Sequence, residues 1–179
     1  MKVVLDACVL YPTVMREVIL GVAKAGLFTP IWSEKILEEW ARATRKLGSA
    51  QETYARGEIA MLGLAWPDAS CPANSDLEAT LYLPDPDDCH VLASAISSNA
   101  PVIMTMNLKD FPNTVLAEYG ISTVHPDAYL RQVAGQSPDL VGAVIDHVHA
   151  EAERLSGQSM RPRALLKKAR LPRLGKFFD

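Results

Sequence analysis

Two hydrophobic periods alternate along the chain. Short runs of consecutive apolar, β-branched residues recur at Lys2–Leu5 (KVVL), at 28–32, at Val102–Met104 and at 121–124. Runs of this length predict buried strands. Pro30 lies inside the second run and favours an edge or irregular position there, because it cannot donate to a ladder. Between the runs, apolar residues return at three- and four-residue spacing. Val14, Val18, Ile19, Val22 and Ala23 predict a helix that opens near Pro12 and stops at Gly26. Ser33 is a good N-cap for a helix with Ile36, Leu37, Trp40 and Ala41 on one side, ended by Gly48. A further helix is predicted over about 49–64, with Ile59, Met61 and Leu62 apolar. Residues 70–83 are the least periodic and are read as an irregular third strand and a loop.

Residues 83–112, LPDPDDCHVLASAISSNAPVIMTMNLKDFP, organise the rest. Asp85, Asp87 and Asp88 stand around Pro86. A helical pattern follows (Val91, Leu92, Ala95, Ile96), then the run Val102–Met104, then Thr105, Asn107 and Asp110. This is helix, strand, and a polar loop at the strand's C-terminal end, the place where sites form in an open α/β sheet. Beyond it the pattern predicts a short helix at 113–119 broken by Gly120, a strand at 121–124, and helices at 127–133, 139–155 and 162–169 before a short basic end. Strands alternating with helices place the chain in the α/β class, with a mainly parallel, doubly wound sheet.

Composition narrows this picture. The 179 residues suffice for a real core. Cys8, Cys71 and Cys89 are odd in number and lack metal-like spacing, which suggests reduced thiols and a cytoplasmic protein. No signal peptide fits the N-terminus and no apolar run is long enough for a membrane span. Up to Glu153 there are ten Lys and Arg against twenty Asp and Glu; from Arg154 onward there are eight basic residues and one acid, Asp179. This asymmetry fits either a solvated helical tail or an arm that binds RNA or a partner.

Asp6 ends the first strand, Asp87 and Asp88 begin a helix, Asp110 follows the Met104 strand, and Glu39 lies one turn into its helix. If the ends of the first and the Met104 strands are neighbours, Asp6, Asp88 and Asp110 converge and Glu39 hangs over them. Carboxylates pressed together raise one another's pKa values. A hard divalent cation such as Mg²⁺ or Mn²⁺ relieves that repulsion, and Asn107 adds an amide oxygen. Such ions bind phosphodiesters, acidify an attacking water and stabilise the leaving oxygen. No phosphate-binding glycine loop, GxSxG or HExxH is present, and nothing resembles a zinc cluster. Each acid has a plainer reading as a cap, Asp87 above all. Glu38 reads as solvated, His90, His147 and His149 as surface or core-edge, His125 as a loop residue, and Trp32, Trp40 and Trp66 as core.

The motifs VVLDACVL (3–10), SEKILEEW (33–40), DPDDCHVLASAI (85–96) and VIMTMNLKDFP (102–112), in this order and spacing, resemble the PIN domain, a family of metal-dependent ribonucleases that includes toxins of bacterial toxin–antitoxin pairs. The resemblance covers roughly residues 1–130. It implies a three-layer α/β/α fold with a parallel sheet of about five strands, an acidic pocket for one or two Mg²⁺ or Mn²⁺ ions, and hydrolysis of single-stranded RNA. By position it implies catalytic Asp6, Glu39, Asp88 and Asp110, with Asp6, Asp88 and Asp110 as metal ligands and Thr105 and Asn107 as polar pocket residues. Cys8 stands where many members have Asn.

The expected organisation is a nuclease domain over 1–135 and a helical, basic extension over 136–179. In the extension, Arg161, Arg163, Lys167, Lys168, Arg170 and Arg173 are candidate RNA contacts. Expected partners are RNA, an antitoxin protein and a second copy in a homodimer. The alternative is a catalytically weak module that acts by binding through its tail. A phosphotransfer receiver would need an acidic pair at the end of the first strand and a lysine after the last. A haloacid-dehalogenase-like phosphatase would need Asp where Cys8 stands.

Overall fold

The computed structural model describes all of residues 1–179. By packing, the chain divides into two compact units, Met1–Tyr11 with Thr29–Val124, and Pro12–Phe28 with His125–Asp179.

The first unit is a five-stranded, all-parallel sheet flanked by helices. Its strands are β1 (Lys2–Leu5), β2 (Thr29–Ser33), β3 (Ser70–Cys71), β4 (Val102–Met104) and β5 (Ser122–Val124), in the order β3-β2-β1-β4-β5. The order reverses at β1, so the chain winds outward in both directions from it, which is the doubly wound arrangement expected. Val3, Val4, Leu5, Ile103 and Met104 are fully buried, as consecutive apolar runs in a parallel sheet require.

Pro30 turns out to lie in an interior strand, opposite Val3 of β1. The neighbouring Thr29 N–H donates to Met1 O at 2.9 Å, so position 30 faces the other side of the strand. There β3 pairs only with Trp32 and Ser33, and no ladder partner lacks a donor at Pro30.

The first unit's helices are α1 (Ala7–Leu10), α3 (Glu34–Arg45), α4 (Ser49–Ala65), α5 (Ser75–Glu78), α6 (Cys89–Ser98) and α7 (Asn113–Ala117); α2 (Thr13–Lys24) belongs to the second unit. Periodicity does not predict the one-turn α1, which is too short to carry a period. Ser33 caps α3, its Oγ accepting from the Ile36 N–H at 3.3 Å. Asn99 ends α6 in the left-handed region (φ +54°), and the Ala100 N–H closes onto Ala95 O at 2.9 Å. Glu38, expected to be solvated, is half-buried and engaged. It accepts from Arg42 and Arg56, and Arg45 and Arg56 both reach Glu52, which ties α3 to α4.

The second unit joins α2 to α8 (Pro126–Gln136), α9 (Pro138–Ser156), α10 (Pro162–Lys168) and α11 (Pro172–Phe177). Gly21 lets α2 approach α9 closely: a Cβ there would lie 2.5 Å from Val144 Cγ1. His125, expected as a loop residue, caps α8, its Nδ1 accepting from the Asp127 N–H at 3.2 Å. The basic end is not an extended arm. Leu165, Leu166, Leu171 and Leu174 are buried, and the Arg131 guanidinium lies 4.0 Å from the Phe177 ring centroid. Asp127, itself buried, accepts from the backbone N–H groups of Arg173 and Leu174 at 3.0 Å each. One carboxylate thereby satisfies two orphan donors at the start of α11.

Asp127→Ala is expected to cost about 2–4 kcal/mol, because it strands two N–H groups and removes two charge-assisted bonds. Denaturant unfolding measures the loss, and amide exchange should speed up first at Arg173 and Leu174. Unchanged protection at those amides would mean that Asp127 does not hold α11.

Candidate acidic site at the C-terminal end of the sheet

The site begins with Asp6. It ends β1 at the switch point, and its N–H continues the ladder to Met104 O at 3.1 Å. Its carbonyl accepts from the Val9 and Leu10 N–H groups, which starts α1. The residue is only 5% exposed. Its carboxylate is held on one oxygen: Thr105 Oγ1 donates to Oδ2 at 2.7 Å, and the Cys8 thiol donates to the same Oδ2 at 3.1 Å. Oδ1 is left for another partner.

The loop after β4 wraps this pair. Thr105, fully buried, accepts the Asn107 N–H at 3.0 Å, and Cys8 Sγ accepts the Met106 N–H at 3.2 Å. Asn107 joins the cluster through its backbone, while the residue itself is exposed. Burial, and then the charge of Asp6, push the Cys8 thiol up to about 12. Cys8 is thus a protonated donor to Asp6 and no nucleophile at neutral pH.

Asp88 precedes α6 at the end of a 3₁₀ turn, Pro86–Asp88. Asp85, not Asp87, caps that turn, its Oδ1 accepting from the Asp87 N–H at 3.0 Å. The plain reading of Asp87 as the cap is therefore corrected: Pro86 can open a turn without a donor, and the carboxylate one residue earlier reaches the first free N–H. Asp88 makes no capping bond of its own. Its carboxyl is pushed up from 3.8 to about 7, first by burial and then by the charges of Asp6, Asp85, Asp110 and Glu39. Asp110 is half-buried in the 3₁₀ turn Leu108–Asp110. Of the four acids singled out in the sequence, Asp6, Glu39 and Asp110 thus all bear on the fourth, Asp88, and Asp85 is a fifth, which the sequence pattern places in the motif but not in the site.

Glu39 comes from α3 with its side chain about one-third exposed, and its Oε1 lies 2.7 Å from His90 Nε2. His90 is 3% exposed, which overturns its surface or core-edge reading. The missed signal is that α6 is buried on nearly every side over residues 89–95, so a polar residue in its first turn must find a partner inside. No three His, Cys, Asp or Glu side chains stand close enough as placed to encircle a metal ion. By donor chemistry, the hard carboxylate oxygens here suit a hard divalent cation. The six tail cations named from the sequence are all exposed, and Arg163 pairs with Asp179.

A carboxyl whose pKa rises on folding stabilises the fold below its unfolded value and loses that contribution as pH climbs through the folded value. For Asp88 the window runs from about 3.8 to about 7. Chelator-treated protein should therefore melt at progressively lower temperature as pH rises across this window. Asp88→Asn should flatten the profile and melt higher than the parent at about pH 8. A parent profile that is already flat would contradict the charge crowding described.

Comparison with known proteins places the chain among known families. A protein of Mycobacterium tuberculosis (strain ATCC 25618 / H37Rv) named "Putative ribonuclease VapC50" is 38% identical over 79 residues, covering 38% of this chain and 47% of that protein. The match thus spans about half of that relative's length. No solved structure matches the chain. Residues 2–109, more than half of the sequence, match the family model of the PIN domain, and the chain belongs to the PIN-domain family.

Proposed function

We propose that this protein is a metal-dependent endoribonuclease that hydrolyses single-stranded RNA, acting as the toxin of a toxin–antitoxin pair. The observation that carries the reading is Asp88, pushed up to about 7 by burial and by four other carboxylates at the C-terminal edge of a parallel sheet. Groups perturbed by this combination, gathered at a switch point, mark functional sites. The ribonuclease name of the relative supports the same reading.

In this reading Asp6, Asp88 and Asp110 hold Mg²⁺ or Mn²⁺, and Glu39 either joins them or orients the water. When bound, such a cation supplies charge for the phosphodiester oxygens and an acidified water. The chain's own residues prepare the site. Thr105 fixes the Asp6 carboxylate through Oδ2 and keeps Oδ1 open, and Cys8 donates to the same oxygen as Thr105. Asn107, through its N–H on Thr105, holds the loop that carries Asp110.

Residues 1–135 carry this chemistry, and 136–179 contribute RNA affinity through Arg161, Arg163, Lys167, Lys168, Arg170 and Arg173. Their exposure supports that role. An antitoxin partner, a homodimer and a cytoplasmic location belong to the same proposal. Three free cysteines support a reducing compartment, and no helix is long and apolar enough to cross a membrane.

The test is cleavage of a fluorescent single-stranded RNA with Mn²⁺ or Mg²⁺, with EDTA, and by Asp6→Asn and Asp88→Asn variants shown to be folded. Cleavage should require the metal and fall at least about a hundredfold in either variant. Cleavage in EDTA, or a parental rate from Asp6→Asn, would sink the assignment. No cleavage by folded parent under any metal would favour the binding-module alternative.

For the tail, substitution is a cleaner probe than truncation, since α10 and α11 are packed parts of their unit. Replacing Lys167, Lys168 and Arg170 by Glu should weaken RNA binding without changing single-turnover cleavage at saturation. The salt dependence of binding should shrink by about 0.7 in slope for each phosphate that is no longer neutralised. An unchanged salt slope would remove these residues from the interface.

A further inference from the structure

His90 and Glu39 are 51 residues apart in sequence and meet at 2.7 Å, from the first turn of α6 to α3. Two features separate this contact from an ordinary surface pair. The imidazole is buried at 3% exposure, and its Nδ1 is the only buried side-chain nitrogen or oxygen in the protein without a hydrogen-bond partner. An apolar residue here would bury no unpartnered ring nitrogen. The position instead holds a ring whose single side-chain bond goes to Glu39. A hydrogen on Nδ1 would be a buried donor with no acceptor, so the proton belongs on Nε2, where it points at the carboxylate.

Glu39 needs such a partner. Its negative charge acts on Asp88, as do those of Asp6, Asp85 and Asp110, so its carboxylate stands among like charges. Its flexible side chain also loses rotamer freedom when held in one place. No other side chain bonds to it, and Oε2 has no protein partner.

We propose that His90 is a positioning residue for the acidic site: its Nε2–H grips Glu39 Oε1, holds the carboxylate at the cluster against repulsion, and leaves Oε2 to serve the reaction. The proposal rests on the nuclease reading above. The imidazole touches neither metal nor RNA and acts only through Glu39.

The experiment is a double-mutant cycle with a rescue variant, read by Mn²⁺ binding calorimetry without RNA and by RNA cleavage at saturating Mn²⁺. His90→Leu, which fills the space, should weaken Mn²⁺ binding or slow cleavage by about 10- to 100-fold. His90→Gln places an amide N–H near the Nε2 position and should restore most of the loss. In a Glu39→Ala background, His90→Leu should cause no further loss, because the route through Glu39 is already gone. Long-range ¹H–¹⁵N correlation should show His90 protonated at Nε2 in the parent. Full, additive losses in the Glu39→Ala background, or failure of Gln where Leu also fails, would reduce His90 to a packing residue and overturn the proposal. A folded parent that neither binds Mn²⁺ nor cleaves RNA would overturn the nuclease reading itself, and this proposal with it.

Discussion

The tie between the ends of β1 and β4 is the constraint on which the site depends. At Asp6 the backbone completes the last rung to Met104, and Thr105, the first residue past β4, holds the side chain. A carboxylate this buried without a donor would cost several kcal/mol. Thr105 and the Cys8 thiol together make it tolerable while occupying only one oxygen. The same residue ends a strand, opens a helix and fixes a charge at the point where the sheet reverses its winding. Loop 105–110 is anchored by the same hydrogen bonds, so Asp110 follows from Asp6 in position.

The sheet was legible because a parallel strand buried on both faces has a simple signature. KVVL and VIM are such runs, and both became central strands. The two-residue β3 was legible only as an irregular stretch, since two residues carry no period. Pro30 illustrates the opposite difficulty. Whether a missing donor matters depends on how far the neighbouring strand extends, and that is set by tertiary structure. The acids were legible as types and spacings, but their mutual effect was not. That Asp85 caps the turn while its charge also bears on Asp88 depends on the turn's geometry. His90 was hidden for a related reason. Periodicity predicts a helix with one wet face, and α6 has almost none over its first two turns.

Burial and repulsion act together on Asp88, while Asp6, buried more deeply, is compensated by donors. The contrast separates two kinds of buried acid. Asp6 is solvated by the protein, and Asp127 in the other unit is solvated by two backbone N–H groups. Asp88 has neither kind of help, so its charge is the one that the fold alone cannot accommodate. An added positive charge at the edge of the sheet would relieve Asp88 more than any other acid here.

The basic end follows a different logic. Eight cations against one acid from residue 154 onward could have meant a disordered arm. The leucines at 165, 166, 171 and 174 instead bury themselves, and Arg170 adopts φ +63° where α10 turns into α11. A side chain in that conformation is strained, and it is held by the Leu171 N–H closing onto Leu166 O at 2.8 Å. The cations are therefore carried on ordered backbone. For a polyanionic partner this removes most of the ordering cost that a flexible arm would incur on binding.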